Sequence, residues 1–288
     1  MARDVWYSSA DGLKLYARDE GLEAGDATPV LCLPGLTRNS KDFEKTLSWL
    51  LAGKRRVVSA DFRGRGRSEY ASNPLTYRPD VEMADTLALM DHLGIARAAI
   101  IGTSRGGIVA MLMAAQAKDR LAGICLNDIG PKIETAGLLR IRSYLGADPK
   151  FASWEDAVKA LKSTNPGFES LSNAQWLIFA KRVFAEKDGV PRADYDARLT
   201  ATFPSAEDIS AGKVPELWGL YDLIAPLPLL ILRGAKSDLL SVETVAEMQR
   251  HNPQAQAVEV ADRGHVPFLD EPEAVAAIQT WLAQVDQT

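Results

Sequence analysis

The sequence predicts an α/β fold built on a mostly parallel sheet with helices on both faces, interrupted by a helical insertion. Three observations point there. Short apolar runs alternate with longer amphipathic stretches over the first 130 residues. The runs Val30-Leu31-Cys32-Leu33, Ala98-Ala99-Ile100-Ile101 and Gly123-Ile124-Cys125-Leu126 are nearly continuous in hydrophobicity, as expected of strands covered on both faces. The strand texture stops after Pro131 and resumes near Pro228.

Strands are predicted at Val5–Ser8, Leu13–Arg18, Pro29–Leu33, Arg56–Ala60, Ala98–Gly102, Leu121–Asn127, Pro228–Arg233 and Gln256–Val260. Asp11-Gly12 reads as the hairpin turn between the first two. One helix is expected from Ser40 to Gly53. A second has Pro79 in its first turn, Asp80 and Glu82 where the helix dipole favours acids, and Gly94 just past its end. A third follows Ser104 to Ala117, and the last opens at Pro272 and runs to Gln284. This βα alternation implies helices on both sides of the sheet.

Between Pro131 and Ala225 helical periodicity takes over, and 11 of the 21 aromatic residues fall from Tyr144 to Tyr221. That is enough apolar area to face something other than water. The resumed strands are too few for a sheet of their own, so residues 1–130 and 226–288 are expected to form one core domain and 131–225 a helical cap inserted into it.

At 288 residues the chain can bury a core without staples. Its net charge of −5, with no Lys/Arg block of five, argues against sequence-independent nucleic-acid binding. Cys32 and Cys125 sit inside apolar runs and read as small buried hydrophobes on strands. No metal or redox spacing is present, and neither a metal nor a cofactor is implied. The first residues lack an apolar leader core and no run of about 18 apolar residues occurs, so a cytoplasmic protein with no membrane partner is expected. Its state, monomer or homodimer, stays open.

The chemistry concentrates at Gly102-Thr103-Ser104-Arg105-Gly106. This is Gly-x-Ser-x-Gly between an apolar strand and an apolar helix, the context that gives the motif meaning. A sharp turn there holds the hydroxyl clear of the sheet, while small flanking residues let strand and helix approach. A serine needs a base. Of the three histidines, His92 and His251 lie near helix ends, whereas His265 follows the last strand at the edge where Ser104 stands. Asp238, after the Pro228–Arg233 strand, is the preferred acid behind the imidazole; Asp128, after the preceding strand, is the alternative. The oxyanion donors are expected to be the Arg105 N–H and, from the loop Leu33–Arg38, the Leu36 N–H. The Arg105 side chain would either recognise a substrate carboxylate or form a structural ion pair.

On these residues the chain resembles the capped α/β-hydrolase family, in its serine-nucleophile esterase and lactonase branch. Asp61-Phe62-Arg63-Gly64-Arg65-Gly66-Arg67-Ser68 resembles the family's Asp-x-Arg-Gly-x-Gly-x-Ser loop, in which the arginines would pin the loop. Pro34-Gly35 stands where the family often has His-Gly, and Arg105 where many bacterial relatives have Met. Ser104 separates the chain from epoxide hydrolases and haloalkane dehalogenases, whose nucleophile is Asp.

The resemblance implies an eight-stranded, mostly parallel α/β-hydrolase sheet and hydrolysis of a small or medium ester or lactone through an acyl-enzyme. Ser104 would attack, His265 take the proton, and Asp238 orient the imidazole beneath an aromatic-rich lid. The same triad also serves carbon–carbon hydrolases of vinylogous diketones, perhydrolases, and ligand receptors of this fold.

Overall fold

The computed structural model describes residues 2–23 and 25–288; Met1, with which the leader reading begins, and Ala24 lie outside the described residues. In chain order the first part runs β1 (Arg3–Ser8), β2 (Lys14–Glu20), β3 (Val30–Leu33), α1 (Glu44–Ala52), β4 (Val57–Asp61), α2 (Pro79–His92), β5 (Ala98–Thr103), α3 (Arg105–Ala117) and β6 (Leu121–Asn127). There follow α4 (Thr135–Tyr144), α5 (Trp154–Thr164), α6 (Asn173–Val183), β7 (Phe184–Lys187), β8 (Val190–Ala193), α7 (Ala206–Ser210) and α8 (Trp218–Ile224). The chain then returns through β9 (Leu229–Gly234), α9 (Val242–His251), β10 (Gln256–Val260) and α10 (Pro272–Val285).

Eight strands form one sheet in the order β1-β2-β4-β3-β5-β6-β9-β10. The β1–β2 and β2–β4 pairs are antiparallel, and all the others are parallel. Every residue of β3, β4, β5, β6 and β9 is buried, which is why Val30–Leu33, Ala98–Ile101 and Gly123–Leu126 within them read as nearly continuous apolar runs. One face carries Leu31, Leu33, Ile100 and Ile124 against Val109, Met111 and Met113 of α3. The other carries Val30, Cys32, Ile101 and Cys125 against Leu47 and Leu50 of α1 and Ile278 and Trp281 of α10. Both cysteines are free and buried.

Several predicted strands start one residue early. Pro29 and Pro228 precede β3 and β9 because proline has no N–H for the ladder. Their carbonyls still accept from Ala99 and Ile124. The Ser40 helix opens as a 3₁₀ turn, Ser40–Phe43, capped by the Asn39 side chain, before α1 proper.

The expectation that strand-like runs vanish between 131 and 225 is corrected by the antiparallel hairpin β7–β8. Asp188 and Gly189 at its tip both have positive φ, 53° and 75°. A two-residue turn of that kind favours Asp-Gly, so the signal was present in the sequence. Phe168, Trp176 and Phe179 of this stretch form a small core of their own, joined by Phe268 from the loop after β10. Tyr221 and Ile224 of α8 instead join the core beneath the sheet. Among the described residues no helix is long and apolar enough to cross a membrane.

Candidate active site

The turn from β5 into α3 forces Ser104 to φ 50°, ψ −111°, outside the regions comfortable for a side-chain-bearing residue. The neighbouring sheet holds it there: the Ser104 N–H donates to the Asn127 carbonyl at 3.0 Å, and its own carbonyl accepts from Gly107 at 2.9 Å. Two glycines make the turn possible. A Cβ on Gly102 would meet backbone atoms of Gly106 and Gly107 at 2.7 Å, and one on Gly106 would come within 2.2 Å of the Leu33 carbonyl oxygen.

The Ser104 Oγ lies 3.0 Å from His265 Nε2. The other ring nitrogen, Nδ1, lies 2.8 Å from Asp128 Oδ2. The preferred assignment of the acid is therefore corrected: the carboxylate behind the imidazole is Asp128, the alternative, and not Asp238. Asp128 is fully buried, and its carboxylate also accepts from the Gly234 N–H at 2.8 Å and the Ser237 hydroxyl at 2.6 Å. The end of β9 and the loop after it, expected to supply the acid, instead supply donors that hold it.

Asp238 turns the other way, onto α4. Its two oxygens accept from Arg140 Nε at 2.5 Å and Nη2 at 2.7 Å. Burial alone would push the Asp238 carboxyl up, but the Arg140 guanidinium holds it below the usual carboxylate range. Asp238 thus ties α4 to the core, reinforced by its carbonyl accepting from the Gly137 N–H.

The loop carrying Leu36 lies over the serine: a Cβ on Gly35 would come 3.9 Å from the Ser104 Cβ. The Leu36 N–H has no backbone acceptor among the described residues, and Arg105 is the first residue of α3, where an N–H has no acceptor within its own helix. The Arg105 side chain points elsewhere. Its Nε donates to Glu82 Oε2 at 2.6 Å and its Nη2 to the Tyr77 carbonyl at 2.9 Å, so it forms the structural ion pair.

Glu82, which sequence reasoning placed only as a helix-start acid, connects both donor loops. Its second oxygen lies 2.7 Å from Arg65 Nη1, and Arg65 Nε donates to the Leu36 carbonyl at 2.8 Å. The other loop arginines are likewise pinned, Arg63 to Asp85 and Asp11 and Arg67 to Asp4. His92 is exposed, and His251 bonds Asp222 at 2.7 Å and stacks on Trp218. Neither takes part.

Ser104 and His265 open into a cavity of about 250 Å³. Leu36 and Phe268 wall it from the core side, and Leu161, Phe179, Val183 and Phe184 from the α5–α6–β7 stretch. Among the described residues no cluster of three His, Cys, Asp or Glu side chains is placed to hold a metal ion.

Comparison with known proteins agrees with this architecture. Residues 30–278 match the model of an alpha/beta hydrolase family. The chain is 33% identical over 274 residues to a 3-hydroxybutyrate-oligomer hydrolase of Cupriavidus necator, covering 93% of this chain and 92% of that one. It is 28% identical over 252 residues to a 2-(acetamidomethylene)succinate hydrolase of Mesorhizobium japonicum, covering 87% and 86%. Among solved structures, an alpha/beta hydrolase from Novosphingobium aromaticivorans superposes with a TM-score of 0.88 at 40% identity, covering 98% of each chain.

Proposed function

This chain belongs to the alpha/beta hydrolase family, and on that premise we propose that it is a serine hydrolase cleaving small or medium carboxylic esters, lactones included, through an acyl-enzyme. The observation behind the proposal is the unbroken line from Asp128 Oδ2 through His265 to Ser104 Oγ, with spacings of 2.8 and 3.0 Å.

Bonding to Asp128 keeps the proton on His265 Nδ1 and leaves Nε2 free to accept the serine proton. As Ser104 attacks the ester carbonyl, the imidazolium that forms is stabilised by Asp128, and the N–H groups of Leu36 and Arg105 receive the oxyanion. Losing one such donor typically costs about 10²–10³ in rate. The imidazolium then protonates the departing alcohol, and a water activated by the same His265 releases the acid.

We assign α4 to α7 and the β7–β8 hairpin as the lid. The cavity's apolar walls come largely from it, so closing it would exclude water from the acyl-enzyme. The cavity's small volume suits a short acyl chain, and the similarity to the Cupriavidus necator enzyme makes short oligoesters of 3-hydroxybutyrate the first substrates to try. The test is hydrolysis of p-nitrophenyl butyrate with labelling by a fluorophosphonate. Wild type should turn over the ester and be labelled at Ser104, and Ser104→Ala should do neither. Hydrolysis that survives the substitution overturns the mechanism.

A further inference from the structure

Among the described residues two cationic side chains line the cavity, Arg38 and Arg182, while Arg140 and Lys41 lie outside its lining. Arg38 grips Asp42 through both nitrogens of its fork and lies over the Phe179 ring. Arg140 is held by Asp238, and Lys41 lies 2.9 Å from Asp194. Arg182, in the last turn of α6, is the exception. It lines the cavity, is only 6% exposed, and its Nε is enclosed without an acceptor among the described residues. Its neighbours on that wall, Phe179 and Val183, are apolar.

A guanidinium stays protonated under all ordinary conditions. Its place in the last turn of α6 is favoured by the helix dipole. The dipole does not supply the hydrogen-bond acceptor that the enclosed Nε lacks among the described residues. Arg182 lines the cavity, and the partner that matches a guanidinium fork is a carboxylate.

We propose that Arg182 is the specificity-determining residue of this site and takes the free carboxylate of the substrate. The substrates are then short esters ending in a carboxylate, such as linear hydroxy-acid oligoesters, rather than neutral esters. This rests on the hydrolase reading above. Each turnover consumes one water and breaks one ester bond, giving a hydroxy acid and a shortened acid.

The test compares the linear dimer of 3-hydroxybutyrate with its methyl ester, which share the reacting bond and differ in charge. Wild type should favour the free acid at least ten-fold in kcat/KM. Arg182→Gln should lower that acid-to-ester ratio at least ten-fold, mainly through KM for the acid, and Arg182→Lys should fall between. A wild-type ratio at or below one, or an equal loss on both substrates in Arg182→Gln, overturns the proposal.

Should Arg182→Gln fail to fold, calorimetry on Ser104→Ala decides. Butyrate should bind at least ten-fold more tightly than butyramide, and equal affinity overturns the proposal. That binding measurement needs no turnover, so its failure is distinguishable from failure of the p-nitrophenyl butyrate test.

Discussion

Asp128 and His265 are 137 positions apart in the chain, yet Asp128 Oδ2 and His265 Nδ1 stand 2.8 Å apart. The carboxylate follows β6, directly beside the strand that delivers Ser104, and the imidazole follows β10. The two acids of the edge therefore have separate roles: one faces the imidazole, the other faces Arg140.

Asp128→Asn should lower kcat/KM on p-nitrophenyl butyrate by about 10³–10⁴, because the amide favours the wrong imidazole tautomer. Asp238→Asn should lower it no more than about ten-fold, since an unpaired Arg140 only loosens α4. Steady-state kinetics on both variants check this. A larger loss from Asp238→Asn would reverse the assignment.

Ser237→Ala removes the hydroxyl that donates to Asp128 Oδ2 at 2.6 Å and receives the N–H groups of Leu239 and Leu240. A hydrogen bond to a charged group contributes about 1.5–3 kcal/mol. We expect kcat to fall about ten-fold or more with KM little changed, measured with the same ester.

Glu82→Gln breaks the buried link between Arg65 and Arg105. Removing one partner of a buried ion pair costs about 3–5 kcal/mol, to be read from urea unfolding at pH 7. Burial by itself would raise the Glu82 carboxyl, but Arg105 and Arg65 together hold it below its ordinary 4.5. A lowered folded-state pKa contributes stability that is fully present above 4.5 and is lost as pH falls through the folded value. The gap between wild type and Glu82→Gln should therefore be constant from pH 7 to 5.5 and shrink below 4.5. A gap that grows on acidification would show the opposite sign.

Gly106→Ala places a methyl group 2.2 Å from the Leu33 carbonyl oxygen, where backbone must yield. Overpacking of this kind costs about 1–3 kcal/mol. Displacing the Leu33–Leu36 loop should also lower kcat. Urea unfolding and ester kinetics on the one variant should show both effects; an unperturbed kcat would separate that loop from oxyanion binding.

Local pattern alone, read from the residues, pointed to the strand–helix order outside residues 131–225, the two-faced sheet, the elbow at Ser104 and His265 as its base, because hydrophobic period and turn chemistry are properties of neighbouring residues. Arg105, Asp128 and Asp238 show where such pattern ends. Both acids follow adjacent parallel strands and reach the same edge, so no spacing in the chain distinguishes them. Only the packing of the end of β9 and its loop, which bring the Gly234 and Ser237 donors to Asp128, and of α4, which brings Arg140 to Asp238, decides which carboxylate meets the imidazole. Arg105 turns to Glu82, and the Arg182 Nε is left without a partner among the described residues, for the same reason. The direction of a charged side chain is set by partners from distant segments, and those meet only in the folded chain.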